Sequence, residues 1–251
     1  TTTTNFGATA NATTTPIWFQ SGLQASSTSQ LAYANIFGSI NFATTATSLA
    51  TYQGTRFLTA GSNNVGLGAS ALSGLTTGAT NTGVGTSAFL NNTTGSLNVG
   101  VGLDASAGNL SATNTVAIGS FAANGTGGWT YAGQGYTAVG YNAGGNFGQV
   151  GQNGIHAGDY STLFGYQAGR NISTGYANIL VGSAVSNAAM NITSGNGNVG
   201  LGNELYFPSA TASNQLNIGN FLFGTLPATS TGFVLPTSGA LGIGTSSPFA
   251  K

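Results

Sequence analysis

From residue 64 to residue 244 the chain repeats one short hydrophobic phrase: two apolar residues two positions apart, closed by a glycine and in many copies followed by a small residue. The clearest copies are Asn64-Val65-Gly66-Leu67-Gly68-Ala69-Ser70-Ala71, Asn98-Val99-Gly100-Val101-Gly102-Leu103-Asp104-Ala105 and Thr115-Val116-Ala117-Ile118-Gly119-Ser120-Phe121-Ala122. Weaker copies close at Gly85, Gly140, Gly165, Gly182, Gly202, Gly219 and Gly244. From Gly68 onward the closing glycines are 17, 17, 17, 21, 25, 17, 20, 17 and 25 residues apart, a 17-residue unit with insertions in some copies. Residues at n and n+2 share one face of a strand. The doublets Val65/Leu67, Val99/Val101, Val116/Ile118, Ile179/Val181 and Val199/Leu201, with Val84, Val139 and Phe164, are therefore expected to form the repeat core. The residue between them, often Gly or Ala, suits an outer or crowded face.

The glycine that follows each pair, at Gly68, Gly85, Gly102, Gly119, Gly140, Gly165, Gly182 and Gly202, permits a bend that a side chain would oppose. Between the phrases lie turn signals such as Thr76-Thr77-Gly78, Asn91-Asn92-Thr93-Thr94-Gly95 and Ser173-Thr174-Gly175. A helix is a poor reading, because glycine recurs every few residues at about 1 kcal/mol per helical position. The pattern predicts an all-β fold, a repetitive parallel β-roll or β-solenoid, with room for two strands of about five residues in each coil. Such a thin coil does not close a wide core alone, so the doublets are expected to be sealed by further copies of the chain. Residues 61–204 form the roll in this reading. Residues 1–60 and 205–251, rich in aromatics and, at the far end, prolines, form cap or junction regions with irregular β structure.

Composition narrows the function. Charged residues make up 2% of the chain and the net charge is zero, against roughly 25% charged in ordinary soluble domains. No basic stripe exists to neutralise phosphates, so nucleic acid is not an expected partner. No stretch approaches the about 20 consecutive apolar residues of a spanning helix, so direct membrane insertion is not expected either. Cysteine is absent, which excludes disulfides and thiolate metal sites. No signal-peptide pattern opens the chain, and Thr1 to Thr4 are read as the start of a mature or trimmed chain.

The phrases Asn81-Thr82-Gly83-Val84-Gly85-Thr86-Ser87-Ala88 and Thr137-Ala138-Val139-Gly140-Tyr141-Asn142-Ala143-Gly144 resemble the head repeats of trimeric autotransporter adhesins, the YadA-like repeats, and related repeats of bacteriophage tail fibres. The resemblance covers residues 61–204 and implies a left-handed parallel β-roll in which three identical chains form a tight trimer. Val185 and Leu205 depart from it, standing where a small residue is expected.

Candidate chemistry is sparse. His156 and Asp159 sit in the long step between Gly140 and Gly165. A base with an orienting carboxylate needs a nucleophile that the sequence does not supply. Asp104, Asp159 and Glu204 fall in separate coils, so no calcium loop or other metal site is expected, and Gly-x-Gly strings such as Gly66-Leu67-Gly68 lack the strand-to-helix context of a phosphate loop. No cofactor and no catalysis are expected. The candidate ligand contacts are aromatic or loop residues, Trp129, Tyr131, Tyr136, Phe147, His156 and Tyr160, which could stack on sugars or dock proteins. The sequence thus predicts a non-enzymatic extracellular or cell-surface fibre protein, structural or adhesive, forming a homotrimer and able to grow end to end into a filament. Surface glycans or host-cell receptors are its candidate partners. A tail-fibre receptor-binding segment of a virion and an ice-binding solenoid are the alternatives.

Overall fold

The computed structural model describes residues 50–52, 55–61, 63–125, 132–147, 158–186, 190–227 and 240–245, with side chains from residue 63 onward. All lie in the second of two compact units, Phe42–Lys251. The described residues are all-β. The strands are β1 (Ala50–Tyr52), β2 (Thr55–Gly61), β3 (Asn64–Leu67), β4 (Thr82–Val84), β5 (Val99–Val101), β6 (Val116–Ile118), β7 (Thr137–Val139), β8 (Thr162–Phe164), β9 (Ile179–Val181), β10 (Val199–Leu201), β11 (Gln215–Ile218), β12 (Leu222–Thr225) and β13 (Ala240–Ile243). They stack in sequence order in one sheet. From β3 to β11 every neighbour is parallel, so the chain winds once around between strands and forms a parallel β-solenoid of about eight turns. Antiparallel pairings of β1, β2 and β3 precede it, and those of β11, β12 and β13 end it. The parallel ladder thus includes β11, beyond the boundary at residue 204 drawn from sequence.

Among the described residues each full coil contributes one strand of three or four residues, not two of five. The cause is backbone handedness: within the first coil Ser70, Leu72 and Thr80 have φ of 58°, 53° and 60°, which breaks an extended run. The turns still bond coil to coil, with Leu72 donating its N–H to the Ala88 carbonyl (2.9 Å), Gly74 to Leu90 (3.0 Å) and Thr76 to Thr93 (2.8 Å). Turn backbone groups are thereby paired between coils outside the strands.

Inside and outside are reversed within each strand relative to the sequence expectation. Gly66, Gly83, Gly100, Ala117, Ala138, Leu163, Leu180 and Gly200, the residues between the doublets, are buried, and the doublets point outward. The interior is filled instead from the turns, by Ala71, Ala88, Ala105, Ala122, Ala143 and Ala168, each third after its closing glycine, and by Leu72 and Phe89 beside them. Size is balanced between layers. A Cβ on Gly83 would lie 3.1 Å from Leu72, and one on Gly100 would lie 2.5 Å from the Phe89 ring. In the middle coils the large residue moves to the strand: Leu163 would lie 3.0 Å from a Cβ on Gly144 and 2.7 Å from one on Gly169. Leu205, a departure from the repeat, is buried over Gly200 by the same exchange, whereas Val185 is 71% exposed.

The residue before each outward pair forms a buried polar column. Asn81 donates its backbone N–H (2.8 Å) and Nδ2 (3.0 Å) to Asn64 Oδ1, and Nδ2 also reaches the Gly95 carbonyl at 2.9 Å. Asn98 repeats this with Asn81 Oδ1 (3.2 and 2.8 Å) and the Ala112 carbonyl (2.7 Å), and Thr115 then bonds Asn98 Oδ1. The pattern resumes where Asn198 donates to Asn178 Oδ1 and Gln215 to Asn198 Oδ1. A buried amide left unpaired would cost about 1–3 kcal/mol. Stacking in register satisfies nearly all of these groups from the next copy of the same residue.

Candidate functional site

The outward doublets build two columns along the surface of the described residues. One column runs through Val65, Thr82, Val99, Val116, Thr137, Thr162, Ile179, Val199 and Leu216. The other runs through Leu67, Val84, Val101, Ile118, Val139, Phe164, Val181, Leu201 and Ile218, apolar at every level. Exposure in this second column reaches 54% at Phe164, with Val101 at 36%. Thirteen residues assigned to the repeat core, from Val65 to Leu201, are therefore not the core of a single chain. The period of two is as expected, but the small residue between each pair takes the inside, because opposing turn residues leave no room there for a branched side chain.

The closing glycines behave as predicted. Gly68, Gly85, Gly102, Gly119, Gly140, Gly165, Gly182 and Gly202 have φ between 126° and 135°, and a Cβ on Gly85 would lie 2.4 Å from the Gly102 carbonyl oxygen. Only glycine fits that column.

The candidate ligand contacts separate. Trp129, Tyr131 and His156 lie outside the described residues. Tyr136 and Phe147 are fully buried, so neither presents a surface to a ligand. Tyr136 stands in the polar column before β7, its hydroxyl 2.5 Å from Ser106 Oγ and accepting from Asn109 Nδ2 at 3.2 Å. Its ring meets Phe147 edge-on at 5.5 Å. Phe147 stands seven residues after Gly140, the inward place taken by Asn92 after Gly85 and by Ile172 after Gly165. Repeat position was the available signal for both. Tyr160 is exposed, its ring over Gly135. Asp159 is buried and accepts the Gln134 N–H at 2.7 Å, a structural use of its carboxylate.

No known protein family, curated protein or solved structure matches the chain. Among the described residues no group of three or more His, Cys, Asp or Glu could hold a metal ion, and no helix is long and apolar enough to cross a membrane. The Glu204 carboxylate has a shifted titration. Glu204 accepts the N–H of Val185 and, at 3.2 Å, that of Ser186. The Val185 N–H is the main cause holding its carboxyl below the usual range, against a smaller opposing desolvation. Sequence reasoning missed the exposed Tyr141 and Tyr166, although both directly follow a closing glycine.

Proposed function

We propose that the chain is a non-enzymatic extracellular fibre protein, structural or adhesive, in which three copies bring their outward Val/Ile/Leu columns together as a left-handed β-roll. The observation that carries this reading is the uninterrupted apolar column from Leu67 to Ile218 on the solvent side of an otherwise complete coil. Nine levels at about 4.8 Å make a stripe on the order of 40 Å long. Exposed apolar surface of that continuity marks an association face, and a strip that repeats itself level by level is matched best by the same strip on an identical chain in register. The resemblance of the repeat to trimeric autotransporter adhesin heads supports three as the number. An ice lattice is a poorer occupant, because the Thr76, Thr93 and Thr193 hydroxyls are donated to carbonyls of the next coil and are not offered as a rank.

Light scattering on the purified chain tests the reading. A particle of three times the 24.7 kDa chain mass, or a polymer, supports it. A stable particle of one chain overturns it.

A further inference from the structure

The turn edge just after the closing glycines differs from the rest of the surface. Phe121, Tyr141 and Tyr166, on three successive coils, form a continuous aromatic run: Phe121 meets Tyr141 edge-on at 6.0 Å, and Tyr141 stacks on Tyr166 at 5.3 Å with ring planes 16° apart. Tyr141 and Tyr166 are 44% and 46% exposed. The next coil places Ser183 at the equivalent position, directly after Gly182, so the run ends in a step with a small residue below the last ring. Ser183 donates its N–H (2.8 Å) and hydroxyl (3.0 Å) to Asn203 Oδ1, leaving the exposed Asn203 NH2 group as a donor beside the step. On the Tyr166 side, Gln167 Nε2 reaches the Tyr166 hydroxyl at 3.5 Å and is itself bridged to Arg170, whose Nη1 donates to Gln167 Oε1 at 3.0 Å. Asp104, Arg170 and Glu204, three of the few charged side chains in the molecule, also follow a closing glycine by five residues or fewer.

We infer that this edge is a saccharide-binding track, with Tyr166 as the stacking platform and the amides of Gln167 and Asn203 as hydrogen-bonding partners of sugar hydroxyls. A neutral oligosaccharide is the ligand class that fits. Its ring faces are apolar and stack on tyrosine, its rims carry hydroxyls that pair with amides, and it asks for no cluster of like charge. A protein partner would call for a broad apolar face, whereas exposed tyrosine rings flanked by amides suit a saccharide ring. The inference deepens the adhesive reading by naming its ligand, and rests on that reading only for biological purpose.

The test is calorimetric titration of the purified, assembled protein with cellohexaose, chitohexaose and maltohexaose, alongside Tyr166→Ala, Tyr166→Phe and, as a control at an exposed residue in the turn before β5, Leu97→Ala. At least one sugar should bind the parent protein, Tyr166→Ala should weaken it on the order of tenfold or more, and Tyr166→Phe and Leu97→Ala should retain it. Light scattering on each variant separates the two readings: failure of the trimer appears in the parent mass, failure of the track in the titrations. Three silent sugars, undiminished binding by Tyr166→Ala, or a changed particle mass in that variant would each overturn the track.

Discussion

A single methyl group is a large object inside this coil. Gly100→Ala would drive a Cβ to 2.5 Å from the Phe89 ring, overpacking that typically costs about 1–3 kcal/mol. Phe89→Leu alone should also destabilise, by opening a cavity. The double variant should recover part of the Gly100→Ala loss, and a double-mutant cycle of denaturant midpoints is the measurement. Additive losses would show that the two sites do not share one space. Backbone handedness offers the opposite effect. Thr80 holds φ at 60°, a conformation that costs a branched side chain roughly 1–2 kcal/mol. Thr80→Gly should raise the midpoint, since relief of that strain outweighs the added freedom of the unfolded chain. At this scale the sequence was only partly legible. The closing glycines announced their role because no other residue recurs there, but Gly100 and Phe89 lie 11 residues apart, and nothing local shows that one leaves the space the other fills.

An element here is a coil, and its register was plain from the 17-residue step, which the pairings follow strand by strand. The sidedness was not plain. A doublet separated by Gly or Ala has the same period of two whichever face is inside, and the decision came from Ala71, Leu72 and their equivalents, turn residues that carry no strand signature. Insertions hid more, since Tyr136 and Phe147 resemble loop aromatics until they are counted from Gly140. The turn at 183–186 depends on a neighbouring coil, through Glu204. Because the folded Glu204 carboxyl titrates below its ordinary value near 4.5, its contribution is complete above that value and is lost as pH falls through the lower folded one. Amide exchange at Val185 and Ser186 should therefore quicken in acid, relative to the intrinsic rate, more than exchange at Leu180. Glu204→Gln should flatten that difference. Equal acid responses in the parent protein would remove Glu204 as the clasp.

For the whole molecule, the separation of two apolar sets is the property that matters. Leu163 and Leu180 lie inside one chain, and Val101 and Ile118 outside it. Lysine at both Val101 and Ile118 should leave a folded β-protein, by circular dichroism, while reducing the particle to a single chain. Lysine at Leu163 should abolish the fold, because the charge would have no partner in the interior. A Val101→Lys/Ile118→Lys protein that keeps its assembled mass would mean those columns are not the contact. Fold class could be read from composition and spacing, since few architectures accept so much glycine at so regular a step, but the last copy, closing at Gly244, lies in β13, which pairs antiparallel and stands outside the parallel solenoid. The sidedness of the doublets could not, because it depends on which way side chains point.

Among the described residues the polar column carries amide-to-amide bonds in two stretches. Amide follows amide from Asn64 to Asn98, closing on Thr115, and again from Asn178 to Gln215. Between them Tyr136 turns its hydroxyl aside to Ser106 and Asn109, and Ser161 offers only an oxygen to the Asn178 N–H. Mutual polarisation along such a chain ends where the chain ends. Side-chain polarisation is therefore interrupted at Tyr136 and Ser161, and across that joint the coils are held in register by the parallel backbone ladder of β6, β7 and β8.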